Sequence, residues 1–121
     1  MLLLGVVLAG AVGAPARYVI DQWVQRGSRS PMPLGTLVIN VSGSFLLGLI
    51  TGAALYHGFS STPKVILGTG LCGSYTTFST FTYETVKLAE EGAFGAAARN
   101  ALATSVLPCV AAGAGLALAA L

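Results

Sequence analysis

Four long apolar runs, joined by polar connections of a few residues each, fill almost the whole 121-residue chain. A run of about 20 apolar residues, coiled as a helix, is long enough to cross the hydrocarbon of a bilayer. The runs place spans at roughly 2–23, 34–56, 64–88 and 94–121. Charge agrees with this reading. Only 8% of residues are charged against 55% hydrophobic, whereas a soluble domain carries roughly 25% charged residues. So few charges cannot cover a water-facing surface. The expected fold class is therefore an all-α integral membrane protein, with 1–121 forming a single four-helix transmembrane domain in contact with lipid. The first run is read as a retained span. Ala11, Gly13 and Ala14 look like a small-residue cleavage site, but no Lys or Arg precedes the run and three more spans follow.

Composition also excludes function classes. A formal net charge of +2 without a basic cluster gives no footprint for nucleic acid. Cys72 and Cys109 lie in apolar segments and are read as small packing residues rather than a disulfide. There is one histidine, His57, and no nucleophile–base pair or ligand cluster for a transition metal, so an enzyme is not expected.

The third run departs from ordinary span chemistry. Leu67 to Phe81 reads LGTGLCGSYTTFSTF, with Gly68, Gly70 and Gly73 close together and Ser74, Thr76, Thr77, Ser79 and Thr80 following. Glycine weakens a helix by about 1 kcal/mol relative to alanine, and Ser and Thr compete for backbone groups. The pattern predicts a helix broken near residues 73–77. Broken backbone at membrane depth persists only where protein buries it or where it lines a watery cavity, and its freed carbonyls and amides can hold ions. Thr76, Thr80 and Glu84 are four apart and predict a polar row; Phe78 and Phe81, three apart, predict a shared face. The literal GxGxxG at Gly68 is not a nucleotide motif, because no strand precedes it.

The other spans carry isolated polar residues. Arg17 either snorkels to the interface or faces a vestibule that attracts anions, and Asp21, four residues on, can neutralise it. Thr36, Asn40, Ser44, Gly48 and Gly52 are four apart and lie near one face of span two. Asn40 either makes an interhelical hydrogen bond or lines a pore with its two N–H donors. In span four, Asn100, Thr104 and Pro108 are again four apart, and Pro108 is expected to kink the helix. No internal repeat is apparent, so any pseudo-symmetry of the kind common in transporters has to come from a second chain.

Three segments resemble one family. Pro33-Leu34-Gly35-Thr36-Leu37-x-x-Asn40-x-x-Gly43-Ser44-Phe45 is similar to the second-helix signature of the Fluc (CrcB-type) fluoride channels. Gly70-x-Cys72-Gly73-x-x-Thr76-Thr77-Phe78-Ser79-Thr80-Phe81 is similar to their third-helix signature, and Gly13-Ala14-x-x-Arg17-Tyr18 to their first. The resemblance covers the chain in matching order. It implies an antiparallel, dual-topology dimer in a bacterial plasma (inner) membrane, exporting fluoride passively through two pores along the subunit interface and so reducing fluoride toxicity. It implies a structural Na⁺ at the dimer centre, held by the backbone carbonyls of Gly73 and Thr76. It places Asn40, Phe78, Phe81, Ser79, Thr80 and Thr104 on the fluoride pathway, and Arg17 and Glu84 toward the vestibules. The chain departs from the pattern at Ser74, where a second glycine is common, at Asn100, where tyrosine is frequent, and at Pro108, where glycine is frequent. The chemistry is consistent with the resemblance. A small, strongly hydrated anion needs replacement donors, which amide and hydroxyl groups supply, and phenyl rings offer positive edges.

Two other readings remain open at this level. Arg26, Arg29 and Lys87 outnumber Lys64 on the opposite side, a bias that favours both termini outside. Such a bias suits one subunit of an obligate heterodimeric channel. A small dual-topology drug exporter would need an intramembrane carboxylate, whereas Asp21, Glu84, Glu90 and Glu91 all lie near span ends.

Overall fold

The computed structural model describes residues 2–27, 34–58 and 61–121, and all regular structure among them is helical. Helix α1 runs Leu2–Gly27 and α2 runs Leu34–Tyr56. The third run is segmented: α3 at Ser61–Val65, a π-helical stretch at Ile66–Cys72, one turn, α4, at Gly73–Tyr75, and then α5 at Ser79–Glu90. Helix α6 completes the fold at Phe94–Ala119. Helices α1, α2 and α6 are each long and apolar enough to span a membrane. Helix α1 continues four residues past the expected end of the first span. Arg29, Pro31 and Pro33 of the expected polar connection lie outside the described residues. Helix α6 carries Pro108 without interruption.

The predicted break is present, but it is longer than the glycines alone suggest. Irregularity begins at Ile66 with the widened π turn, and residues 76–78 leave the helix altogether. Thr76 is extended, at φ −81° and ψ 160°. Phe78 therefore precedes α5 while Phe81 sits in its first turn, so the two rings do not share one continuous helical face. For the same reason Thr76 is not in one helical row with Thr80 and Glu84.

Small residues bring the segments together. A Cβ at Gly70 would stand 2.8 Å from the Val6 carbonyl oxygen and 2.9 Å from Ala9 Cβ, so the π stretch lies directly against α1. Gly13 of α1 in turn meets Ser74 and the Leu71 carbonyl. On the other side of α2, Gly48 packs on the backbone of Ala112, and Gly115 of α6 packs on the backbone of Phe45 and Leu49. The Gly48–Gly52 pair read in the sequence thus faces α6. Such contacts matter in a bilayer, where apolar side chains gain little by leaving equally apolar lipid and close packing drives association. A small cluster of Leu88, Ala96 and Ala97 closes the α5–α6 corner, and Gly92, at φ +82°, makes the turn between these helices. Most large apolar side chains point outward, among them Leu3, Val12, Val19 and Leu102, as a lipid-facing surface requires.

Gly70→Val should force α1 away from the π stretch. Overpacking of this kind costs about 1–3 kcal/mol, and reversible unfolding in mixed micelles should show a loss of that size, with Gly113→Val, which meets open space, close to wild type.

Candidate functional site

The polar row of α2 meets the broken segment. The Asn40 Nδ2 amide donates to the Thr77 carbonyl at 2.9 Å, and the Thr77 N–H donates to Asn40 Oδ1 at 2.9 Å. One side chain thus satisfies both backbone groups of a residue that has left the helix. One turn earlier, the Thr36 hydroxyl donates to Glu84 Oε1 at 2.5 Å. The first reading of Asn40 is met here. It makes the interhelical bond, and because a primary amide has two N–H donors, the second is not used by Thr77.

Two donors are diverted from the helix at this point. In a continuous helix the Thr77 N–H would reach the Gly73 carbonyl and the Thr80 N–H the Thr76 carbonyl. Here the first goes to Asn40 and the second to Thr77 Oγ1, at 3.2 Å. The carbonyls of Gly73 and Thr76 therefore lose their helical donors. Two backbone oxygens released beside a break are the hard, neutral ligands that suit an alkali cation.

A cavity of about 350 Å³ lies against the break, and Asn40, Ser44, Phe78, Phe81 and Thr104 are among its lining residues. The Phe78 and Phe81 rings meet edge to face, with centroids 5.7 Å apart at 64°. Phe81 is buried, whereas Phe78 is 74% exposed. Ser105, Pro108 and Cys109 complete the α6 wall. Cys109 is an exposed thiol on this cavity rather than a packing residue; Cys72 is buried. A second cavity, of about 240 Å³, is lined by Arg17, Asp21, Thr36, Thr77 and Thr80 among others. Arg17 thus faces a cavity. Its Nε and Asp21 Oδ1 are both enclosed yet have no hydrogen-bond partner among the described residues, so the expected neutralising contact is not made through these atoms. Ser79 is exposed and lines neither cavity.

Beneath Phe81 runs a relay that the sequence showed only as spacing. The Thr104 hydroxyl donates to Asn100 Oδ1 at 3.2 Å, Asn100 Nδ2 donates to Thr85 Oγ1 at 2.7 Å, and Thr85 donates to the Phe81 carbonyl at 2.8 Å. Asn100 is 0% exposed. Thr85 was not singled out in the sequence, and its position four residues after Phe81 was the signal available. At the far end, His57 Nε2 meets the Ala119 carbonyl and ties the ends of α2 and α6.

Three helices long and apolar enough to span, around a polar, interrupted third run, define a multi-pass membrane protein with a candidate site at the break. A family model described as "CrcB-like protein, Camphor Resistance (CrcB)" matches residues 4–116. The chain belongs to this CrcB family. A Streptomyces avermitilis protein named "Fluoride-specific ion channel FluC 1" is 53% identical over 114 residues, which is 93% of this chain and 88% of the relative. A Leifsonia xyli protein of the same name is 46% identical over 116 residues, 96% of this chain and 85% of the relative. An Anaeromyxobacter dehalogenans "Fluoride-specific ion channel FluC" is 45% identical over 111 residues, 91% and 87% respectively.

Asn100→Leu should leave the buried Thr104 hydroxyl without its acceptor and remove the donor to Thr85, which keeps its own bond to the Phe81 carbonyl. A loss of about 1–3 kcal/mol is expected, read from unfolding in micelles. Adding Thr85→Val should cost less than the sum of the two single changes, because the pair shares one bond.

Proposed function

We propose that this protein is a fluoride-selective channel that lets F⁻ leave the cytoplasm passively. The observation that carries the reading is the cavity at the helix break, where the Asn40 amide and the phenyl rings of Phe78 and Phe81 surround one small space. The relatives named as fluoride-specific channels support the choice of anion. Fluoride gives up its water only where donors replace it at short range. Asn40 keeps one N–H for this purpose. The ring edges carry partial positive charge and keep the cavity narrow and dry. Thr104 lines the same cavity, Thr80 continues the path toward Arg17, and Ser79 stands beside Thr80. Arg17 attracts anions to a vestibule, with Glu84 set back against Thr36.

The reading includes a second subunit in the opposite orientation, with pores along the shared interface and a sodium ion at the centre. The released carbonyls of Gly73 and Thr76 fit such an ion. A bound cation would join two breaks and add positive field near both pores. The Lys and Arg bias of the loops favours a second form of the same reading, a heterodimer with a partner of opposite bias.

The test is purified protein in fluoride-loaded liposomes, with efflux followed by electrode after a potassium ionophore is added and with chloride-loaded vesicles as control. Fluoride efflux without chloride efflux is expected. No efflux from folded protein, alone or with a reverse-biased neighbour, rejects the channel. Phe81→Ile and Asn40→Asp should each lower flux at least about tenfold, equivalent to about 1.4 kcal/mol in barrier, and unchanged flux in both removes the pathway assignment. Replacing sodium by N-methylglucamine throughout purification should lower flux several-fold; equal flux in the two buffers rejects the sodium site.

A further inference from the structure

Among the described residues, the cavity at the break and the cavity beside Arg17 are lined by different side chains, with one exception: Thr77 lines both. Its backbone cannot move aside, because Asn40 holds both its N–H and its carbonyl at 2.9 Å. Its hydroxyl is held far less firmly. Oγ1 accepts the Thr80 N–H at 3.2 Å and donates its single proton to Thr80 Oγ1, 3.2 Å away oxygen to oxygen, with Ser79 Oγ at 3.4 Å as the other partner. Hydroxyl–hydroxyl bonds are most often about 2.7–2.8 Å long, so both of these are weak and the proton can be redirected at little cost. A rotatable donor on a fixed backbone, standing between two cavities, has the properties of a transfer point.

We infer that the Thr77 hydroxyl is the donor that passes the anion between the two cavities, and that it therefore sets the crossing rate. In the Phe-lined cavity the anion takes an Asn40 N–H. On crossing, the Thr77 proton turns from Thr80 to the anion, and the Thr80 hydroxyl, whose own proton is not used by Thr77, receives the anion on the Arg17 side. No bond other than hydrogen bonds is made or broken. The inference rests on the fluoride-channel reading and adds to it a residue whose side chain has no other role than to cap Thr80.

That capping role supplies the competing explanation, and three substitutions separate the two. Thr77→Val keeps the shape and removes the hydroxyl; fluoride efflux from liposomes should fall at least about tenfold, the factor that corresponds to about 1.4 kcal/mol. Thr77→Ser should restore most of the flux. Thr77→Asp keeps an acceptor for the Thr80 N–H, as N-terminal carboxylates do, but has no proton to give. Thr77→Asp should melt near wild type in micelles and conduct at least about tenfold less. If Thr77→Asp conducts like wild type, Thr77 only caps α5 and the inference is overturned. It is equally overturned if folded Thr77→Val keeps wild-type flux. Should Thr77→Val fail to fold, the Ser and Asp variants still decide. Absence of flux from the wild-type protein would reject the channel reading itself, whereas wild-type conduction with unaffected variants rejects only the transfer role.

Discussion

The two hydrogen bonds between Asn40 and the backbone of Thr77 are the interaction on which the rest of the site depends. A chain that leaves the helix inside a bilayer exposes N–H and C=O groups, each costing several kcal/mol if unpaired. Asn40 offers a donor and an acceptor in one plane, spaced like those of a neighbouring strand, and so stands in for the missing helical turn. With Thr77 fixed, its hydroxyl caps the Thr80 N–H and α5 can begin again. The freed carbonyls, the position of Phe78 outside the helix and the existence of both cavities follow from that one anchoring.

The anchoring works only because the surrounding helices come close enough to enclose it. Gly70 and Gly13 let α1 lie against the irregular stretch, and Gly48 and Gly115 let α2 and α6 touch backbone to backbone. The buried side chains among the described residues are therefore few, and four polar ones, Thr36, Asn40, Asn100 and Thr104, stand among seven apolar ones. In water such an interior would be too small to hold a fold. In lipid, where the apolar exterior needs no burial, it suffices.

Much of this was legible in the residues. Long apolar runs located the three helices long enough to span a membrane, the density of glycine and hydroxyls in the third run located its break, and the polar residues Thr36 and Asn40 of α2 named the face that meets it. The limits of the break were not legible, because the π turn at Ile66–Cys72 lies where the run packs on α1, a contact that local propensity does not encode. The partner of Asn40 was not legible either, since the choice among hydroxyls and backbone groups is made by the tertiary approach of two helices. Cys109 looked like a packing residue because its neighbours are apolar, and only the placement of Phe78 shows that a cavity reaches it. The separation of Arg17 Nε from a partner was likewise hidden, as an i,i+4 spacing to Asp21 permits a contact without requiring one.

The relay under Phe81 has a direction. A carbonyl only accepts, so the Thr85 proton must point at Phe81; Thr85 must then accept from Asn100, and the amide orientation is fixed with its oxygen toward Thr104. The single proton of Thr104 is thereby directed to Asn100. Helix α6 is tied to α5 by a chain of side-chain bonds that ends on the carbonyl of a cavity-lining residue, Phe81. A change at Asn100, which lines neither cavity, is therefore felt at the Phe81 wall through Thr85.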